Sequence, residues 1–233
     1  MRSTRLPGKV LRQLCGQSVL ASVVARVKSA GRLDGIVVAT STLPADDAVA
    51  AECKRLNVSS FRGSEEDVLS RYFGAAKMAG AETIVRVTSD CPLFDGVLLD
   101  EMLKMFSGAG ADYLSNTLKR TFPRGLDAEI FTSAALMRAN RDAIKPHERE
   151  HVTPYFCEHP ELFRLRSFEG AVDLSAHRWT LDTLEDWHFV EAVYQALYCP
   201  PALFTTNDVL KLLKEQPELT MLNVHVEQKP IHN

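Results

Sequence analysis

No run of apolar residues approaches the ~20 needed to span a bilayer as a helix. The opening Met1-Arg2-Ser3-Thr4-Arg5 is not followed by the apolar stretch of a secretion signal. Cysteine is sparse: Cys15, Cys53, Cys91, Cys157 and Cys199 are odd in number, scattered, and form no C-x-x-C pair. That excludes a disulfide framework and a cysteine-based zinc site, and the five read as reduced, mostly buried thiols of a cytoplasmic protein. An excess of cations is lacking too, since 27 Lys and Arg face 30 Asp and Glu for a net charge of −3. Nothing pulls the whole chain toward nucleic acid or an anionic membrane, so any anion it binds must be held by a local cluster. Repeats, low-complexity tracts and Gly/Ser linkers are absent. The 233 residues are therefore read as one domain covering 1–233.

What is present is an alternation of strand-like and helix-like segments. Residues 35–40 form a continuous apolar, β-branched run that suits a strand buried on both faces, and residues 83–88 form a second. Further strands are predicted at 58–63, 111–116, 127–131, 162–168 and 178–181. Helical spacing predicts helices over 45–56, 65–79 with Ser64 as N-cap, 97–106, 133–143, 147–159, 183–198 and 207–215. Phe73, Met78, Met102, Met105, Phe106, Trp179 and Trp187 read as core. Strand alternating with helix implies an α/β fold whose mostly parallel sheet is covered on both faces, with ligands at the carboxyl ends of its strands. Such a domain usually opens with a strand leading into its first ligand loop, yet here the loop-like segment begins at residue 1.

Four segments have the residue types for chemistry on a polyanion. Arg2-Ser3-Thr4-Arg5-Leu6-Pro7-Gly8-Lys9 gathers three cations, two hydroxyls and a glycine. Arg offers phosphate a planar fork, Lys a point charge, and Gly a close backbone approach. It is not a P-loop, because Ser3 stands where the first Gly belongs and Val10 follows the Lys. A solvated basic N-terminus has the same composition. Ser89-Asp90-Cys91-Pro92-Leu93 follows the strand 83–88 and puts an acid at a carboxyl end, where it can hold Mg²⁺ or simply start a turn. Arg178-Trp179-Thr180-Leu181-Asp182-Thr183-Leu184-Glu185-Asp186 repeats the pattern, and its acids also suit the cap and first turn of a helix. Two strand-end aspartates far apart in sequence are what a Mg²⁺-nucleotide site requires. The fourth segment, 120–129 with Ser115-Asn116 before it, puts Arg120, Arg124, Asp127 and Glu129 around a Pro/Gly turn. It suits a polyhydroxylated anionic substrate, or an exposed hairpin. His147-Glu148-Arg149-Glu150-His151 matches the zinc-protease string H-E-x-x-H, but it sits behind Pro146 at a helix start with no third ligand signalled, and it is not read as a metal site.

Taken in order, these strings resemble the acylneuraminate / 3-deoxy-manno-octulosonate cytidylyltransferase superfamily, and within it the spore coat polysaccharide biosynthesis protein F group. The resemblance rests on 3–11, 37–41, 62–72, 86–93, 112–116, 122–127, 148–155 and 178–183, which together cover most of the chain up to about Tyr198. It implies a three-layer α/β/α nucleotide-diphospho-sugar transferase fold, CTP as donor, an acidic sugar as acceptor, Mg²⁺ as cofactor and a homodimer, with no nucleic-acid or membrane partner. It assigns Ser3, Thr4, Arg5, Gly8 and Lys9 to the triphosphate, Asp90 and Asp182 to the metal, and Arg71 to the neighbourhood of the nucleotide. Arg5, Lys9, Asp90 and Asp182 are the expected catalytic residues, and Asn116, Arg124, Glu129, His151 and Arg178 are expected on the sugar side. Family members carry a strand and an Arg-Met pair before Ser-Thr-Arg, so the sheet is expected to lack its first strand, through a start lying further upstream or a truncation. The function implied is a CTP-dependent synthesis of a CMP-sugar and pyrophosphate for a surface polysaccharide. Glycosyl transfer from a nucleotide-sugar on the same fold, and a non-catalytic remnant, are the competing readings.

Overall fold

The structure is a computed structural model that describes residues 5–228, so Ser3 and Thr4 lie outside the described residues. A small hairpin of β1 (Gln13–Leu14) and β2 (Gln17–Ser18) leads into α1 (Val19–Lys28), capped by the Ser18 hydroxyl accepting from the Ala21 amide. Then follow β3 (Val37–Ser41), α2 (Asp47–Arg55), β4 (Ser59–Gly63), α3 (Val68–Ala79), β5 (Thr83–Arg86), α4 (Gly96–Ala109) and β6 (Tyr113–Ser115). The chain continues through β7 (Glu129–Thr132), α5 (Ser133–Asp142), α6 (Pro146–His151), α7 (Pro154–Glu158), β8 (Leu165–Ser167), α8 (Leu184–Leu197) and α9 (Thr206–Glu215).

Beyond the β1–β2 hairpin, the strands divide into two sheets. β3 and β4 pair in parallel, and β5-β7-β6-β8 form a mixed four-stranded sheet in which β7 runs antiparallel to both neighbours while β6 and β8 run parallel. The alternating geometry of a strand sends successive side chains to opposite faces, and two cores result. Ile84, Tyr113 and Phe131 face α3, α5 and α7, where they meet Leu69, Leu136 and Phe156. Val85, Leu114 and Ile130 face the other way, toward α1, α4, α8 and α9, where Leu99, Met102, Val190 and Leu212 lie. This is the expected α/β/α layering, and each large side chain buried in it contributes about 1.5–3 kcal/mol of transfer free energy. α1 joins the two sheets: Val19 and Val23 enter the main core, while Leu20 and Val24 turn to Val49, Cys53 and Val58 around β3 and β4. Among the described residues, no segment before Val37 is a strand of either sheet. No helix among them is long and apolar enough to cross a membrane.

Several elements differ from the sequence reading for identifiable reasons. α1 was not expected, because its run Val-Leu-Ala-Ser-Val-Val is rich in β-branched residues of modest helix propensity and packing supplies the preference instead. α3 is capped by Asp67, whose carboxylate accepts from the Ser70 amide; Ser64 caps only the preceding turn, accepting from the Asp67 amide. The helix predicted over 147–159 is two short ones, broken where Val152 takes φ +74° and Pro154 supplies no amide proton. Residues 178–181 are extended but form only a single parallel bridge, Arg124 to Arg178, instead of a strand. Of the cysteines, Cys53 and Cys91 are buried while Cys15, Cys157 and Cys199 are exposed, so most are not core residues. Met102 and Phe106 are core, but Met78 and Met105 are exposed.

The bridge at Arg124 explains a glycine. The Arg124 amide donates to the His177 carbonyl at 3.0 Å and the Trp179 amide to the Arg124 carbonyl at 2.6 Å. Gly125 follows at φ +108°, and a Cβ there would lie 2.5 Å from the Trp179 carbonyl carbon. Gly125→Ala is therefore expected to destabilise the protein by about 2–4 kcal/mol, through strain and backbone overlap together. Urea unfolding measures this, and an unchanged midpoint would contradict the docking of residues 124–125 on residues 177–179.

Candidate active site

Leu6, 4% exposed in the main core, anchors the basic segment at the start of the described chain. Gly8 takes φ +66° and opens a short 3-10 turn over Lys9–Leu11. This turn directs Lys9 inward. The loop after β5 is held from two sides, with the Pro92 carbonyl accepting from the Tyr194 hydroxyl at 2.7 Å and the Asp90 carbonyl accepting from the Leu181 amide at 2.9 Å. The last bond places Asp90 beside Asp182, and Lys9 lies between them. Its ammonium is 2.7 Å from Asp90 Oδ2 and 2.8 Å from Asp182 Oδ1. Arg5 Nη2 lies 3.4 Å and Arg178 Nη2 3.1 Å from Asp182 Oδ2. The structure thus gathers all four expected catalytic residues, Arg5, Lys9, Asp90 and Asp182, around one point.

The cluster is half-buried, so its charges interact strongly. Burial by itself would lower the pKa of Lys9, but the Asp90 and Asp182 carboxylates outweigh it and hold the ammonium above the usual lysine value. Burial would likewise raise Asp182; Lys9 first, then Arg5 and Arg178, hold its carboxyl below the usual range.

A residue treated in the sequence only as a helix first-turn acid organises this corner. Asp186 is fully buried, and its Oδ1 accepts from Arg178 Nε and Asn223 Nδ2. Its Oδ2 accepts from Arg178 Nη2 and from the amides of Asp182 and Thr183. The spacing Arg178, Asp182, Asp186 and the Thr183–Asp186 capping box were the available signals. Arg178, expected on the sugar side, is braced by Asp186, Asp182 and Gln228 instead. It is a scaffold for Asp182.

The remaining expected residues divide. Arg120 grips Asp127 with two bonds of 2.6 and 2.9 Å across the turn. Arg124, in the same turn, is half-buried, and among the described residues its guanidinium has no hydrogen-bond or ion-pair partner. Burial and then the nearby Arg120 charge lower its pKa, with Arg178 adding to the repulsion. An under-neutralised cation beside the metal-type acids is a place for a carboxylate. Asn116 is fully buried, donating to the Leu126 carbonyl and accepting from the Ala128 amide, so it clamps the turn. Glu129 is buried in an ion pair with Arg86 and accepts from the Tyr113 hydroxyl at 2.6 Å. Both side chains are committed inside the protein. Arg71, in the first turn of α3, packs beside Gly63 at the end of β4, its Nη1 donating to the Ser64 carbonyl at 2.7 Å, while its buried Nε has no partner among the described residues. His151 ends α6. His147 bonds Glu158 and lies near Glu148, with Lys145 bridging both acids, which fits a helix-start ion-pair cluster rather than an H-E-x-x-H centre.

The donor set around Lys9 suits a hard divalent cation: two carboxylates already share one positive centre, and the thiol of Cys91 is buried with its pKa pushed up chiefly by desolvation. With Arg5, Lys9 and Arg124 alongside, the corner has the equipment to hold a metal-complexed polyphosphate next to an anionic acceptor.

Comparison with known proteins identifies the family. A family model described as cytidylyltransferase matches residues 1–228. Spore coat polysaccharide biosynthesis protein SpsF of Bacillus subtilis is 35% identical over 94% of this chain and 92% of its own length. A 3-deoxy-manno-octulosonate cytidylyltransferase of Geobacter metallireducens is 32% identical over 43% of this chain and 39% of its own. A solved cytidylyltransferase structure from Leptospira borgpetersenii superposes with TM-score 0.91 at 34% identity, covering 98% of this chain and 95% of that one.

Removing the Asp186 carboxylate leaves the buried Arg178 guanidinium with only Asp182 as a counter-ion, which Lys9 and Arg5 already share, so its charge is under-compensated. Asp186→Ala is expected to lose about 3–5 kcal/mol of stability in chemical denaturation. Asp186→Asn, which keeps one acceptor oxygen, should lose less. Equal losses for the two would show that the retained acceptor oxygen contributes nothing, and no loss in either would show that Arg178 does not need the carboxylate.

Proposed function

The chain belongs to the cytidylyltransferase family and is a nucleotidyltransferase, and from that premise we propose that it activates an acidic sugar with CTP, releasing pyrophosphate and a CMP-sugar for surface polysaccharide synthesis. The observation that carries this reading is the meeting of Asp90 and Asp182 on one ammonium beside Arg5.

The proposed reaction is an in-line displacement, in which the sugar's anomeric hydroxyl attacks the α-phosphorus of CTP. The new O–P bond forms as the bond to the pyrophosphate oxygen breaks, and the hydroxyl proton is released. Asp90 and Asp182 would hold Mg²⁺, which when bound screens phosphate charge and draws electron density from phosphorus. Arg5 and Lys9 neutralise charge growing on the departing pyrophosphate. Gly8 lets the backbone come close to the triphosphate. Arg124 orients the acceptor by its carboxylate, converting a bimolecular encounter into a positioned one. Arg71 borders the nucleotide. A cytoplasmic homodimer is part of the same proposal.

Pyrophosphate release from CTP with Mg²⁺ and a panel of acidic sugars tests the reading. Asp90→Ala and Asp182→Ala are expected to lower kcat/KM by about a hundredfold or more. Full turnover in either, or no release with any acidic sugar, would overturn it. Arg124→Met is expected to raise KM for the sugar about tenfold, the worth of a charged hydrogen bond, with KM for CTP unchanged. The reverse pattern would move Arg124 to the nucleotide.

A further inference from the structure

Lys9 occupies the very place a shared cation needs. The two carboxylates are already neutralised: Lys9 touches both at 2.7 and 2.8 Å, and Arg5 and Arg178 reach Asp182. A divalent ion arriving alone would meet an ammonium at bonding distance from both of its ligands. At that separation like charges oppose each other even in a partly hydrated site, on the order of tenfold or more in affinity. A free triphosphate arriving alone would meet two acids whose counter-charge is already engaged.

The three cations differ in their freedom to leave. Arg178 is locked by Asp186 and Gln228. Among the described residues Arg5 touches Asp182 only, at the longest of these distances. Of these three, Lys9 is the one that spans both acids. Among the described residues its ammonium has no other partner, and it sits on a flexible four-carbon stem. A triphosphate that carries its own divalent ion resolves both conflicts in one exchange. Its oxygens take the Lys9 ammonium, and the vacated carboxylate oxygens take the ion. Resting on the cytidylyltransferase reading above, we infer that Lys9 is a resident counter-cation that bars the bare metal ion. The site therefore accepts the nucleotide as its metal complex, and nucleotide and metal binding are strongly coupled. Coupling of this kind is reciprocal, so whichever partner is titrated must report it.

The test is Mn²⁺ binding, followed by the electron paramagnetic resonance signal of the free ion, which needs no turnover. The wild type is titrated with and without α,β-methylene CTP, corrected for Mn²⁺ held by the analogue in solution. Lys9→Met and Lys9→Gln are titrated without nucleotide. The expected result is weak Mn²⁺ binding by the wild type alone, tightened about tenfold or more by the analogue and by about as much in either Lys9 variant. Asp182→Asn added to Lys9→Met should abolish that gain. If the wild type binds Mn²⁺ equally with and without the analogue, the inference is overturned while the cytidylyltransferase reading stands. If the Lys9 variants bind no better than the wild type, or keep tight binding after Asp182→Asn, the inference is overturned as well. If Mn²⁺ fails to bind even with the analogue, the metal-nucleotide reading falls together with it. The wild-type titration can still overturn the inference if one Lys9 variant does not fold, and the other variant then carries the assignment to Lys9.

Discussion

The extended segment from Arg178 to Asp182 joins the two halves of the site. One of its edges takes the Arg124 turn through paired backbone bonds, and Leu181 takes the Asp90 loop through another. The segment forms no regular strand, so these few bonds, with Trp179 and Leu181 buried beneath them, fix where three distant pieces of chain meet. Gly125 is needed there because no side chain fits against the Trp179 carbonyl. Remove that seam and Asp90, Arg124 and Asp182 have no reason to be neighbours.

Electrostatics then sets the character of the corner. Asp186 gives all its acceptor capacity to Arg178, Asn223 and two amides, which makes it a rigid support. Asp90 and Asp182 keep oxygens directed at a cation that is replaceable. Arg124, with no counter-ion among the described residues, leaves the corner ready for an anion. A fixed buried pair beside an exchangeable half-buried one is how a site can be both preorganised and open to ligand.

Much of this was readable from residues alone. The β-branched apolar runs at 35–40 and 83–88 announced strands, and β3 and β5 overlap them, although both strands are only partly buried rather than covered on both faces. Asp90 and Asp182 were legible because each ends a strand-like run before a turn or cap. Other features resisted for physical reasons. α1 carries a strand-like composition and becomes helical because α4 and α2 pack on its two faces. Asn116 and Glu129 have the polarity of ligand residues, yet the fold turns them inward to satisfy buried amides, carbonyls and Arg86. Asp186 looked like a helix-start acid, which it is, and its grip on Arg178 depended on a segment arriving from outside the helix.

Local sequence thus determined the alternation of elements, the cationic opening and the two acids, since hydrophobic period, turn chemistry and charge act over a few residues. Only the tertiary structure decided which charges face one another and which are consumed in support. Lys9 reaches Asp90 across 81 positions and Asp182 across 173, and no local propensity encodes a distance of that kind. It emerges when the cores close and the Arg178–Asp182 segment is pinned between its two neighbours, because a partly desolvated charge must then find its partner among whatever the fold has brought within reach.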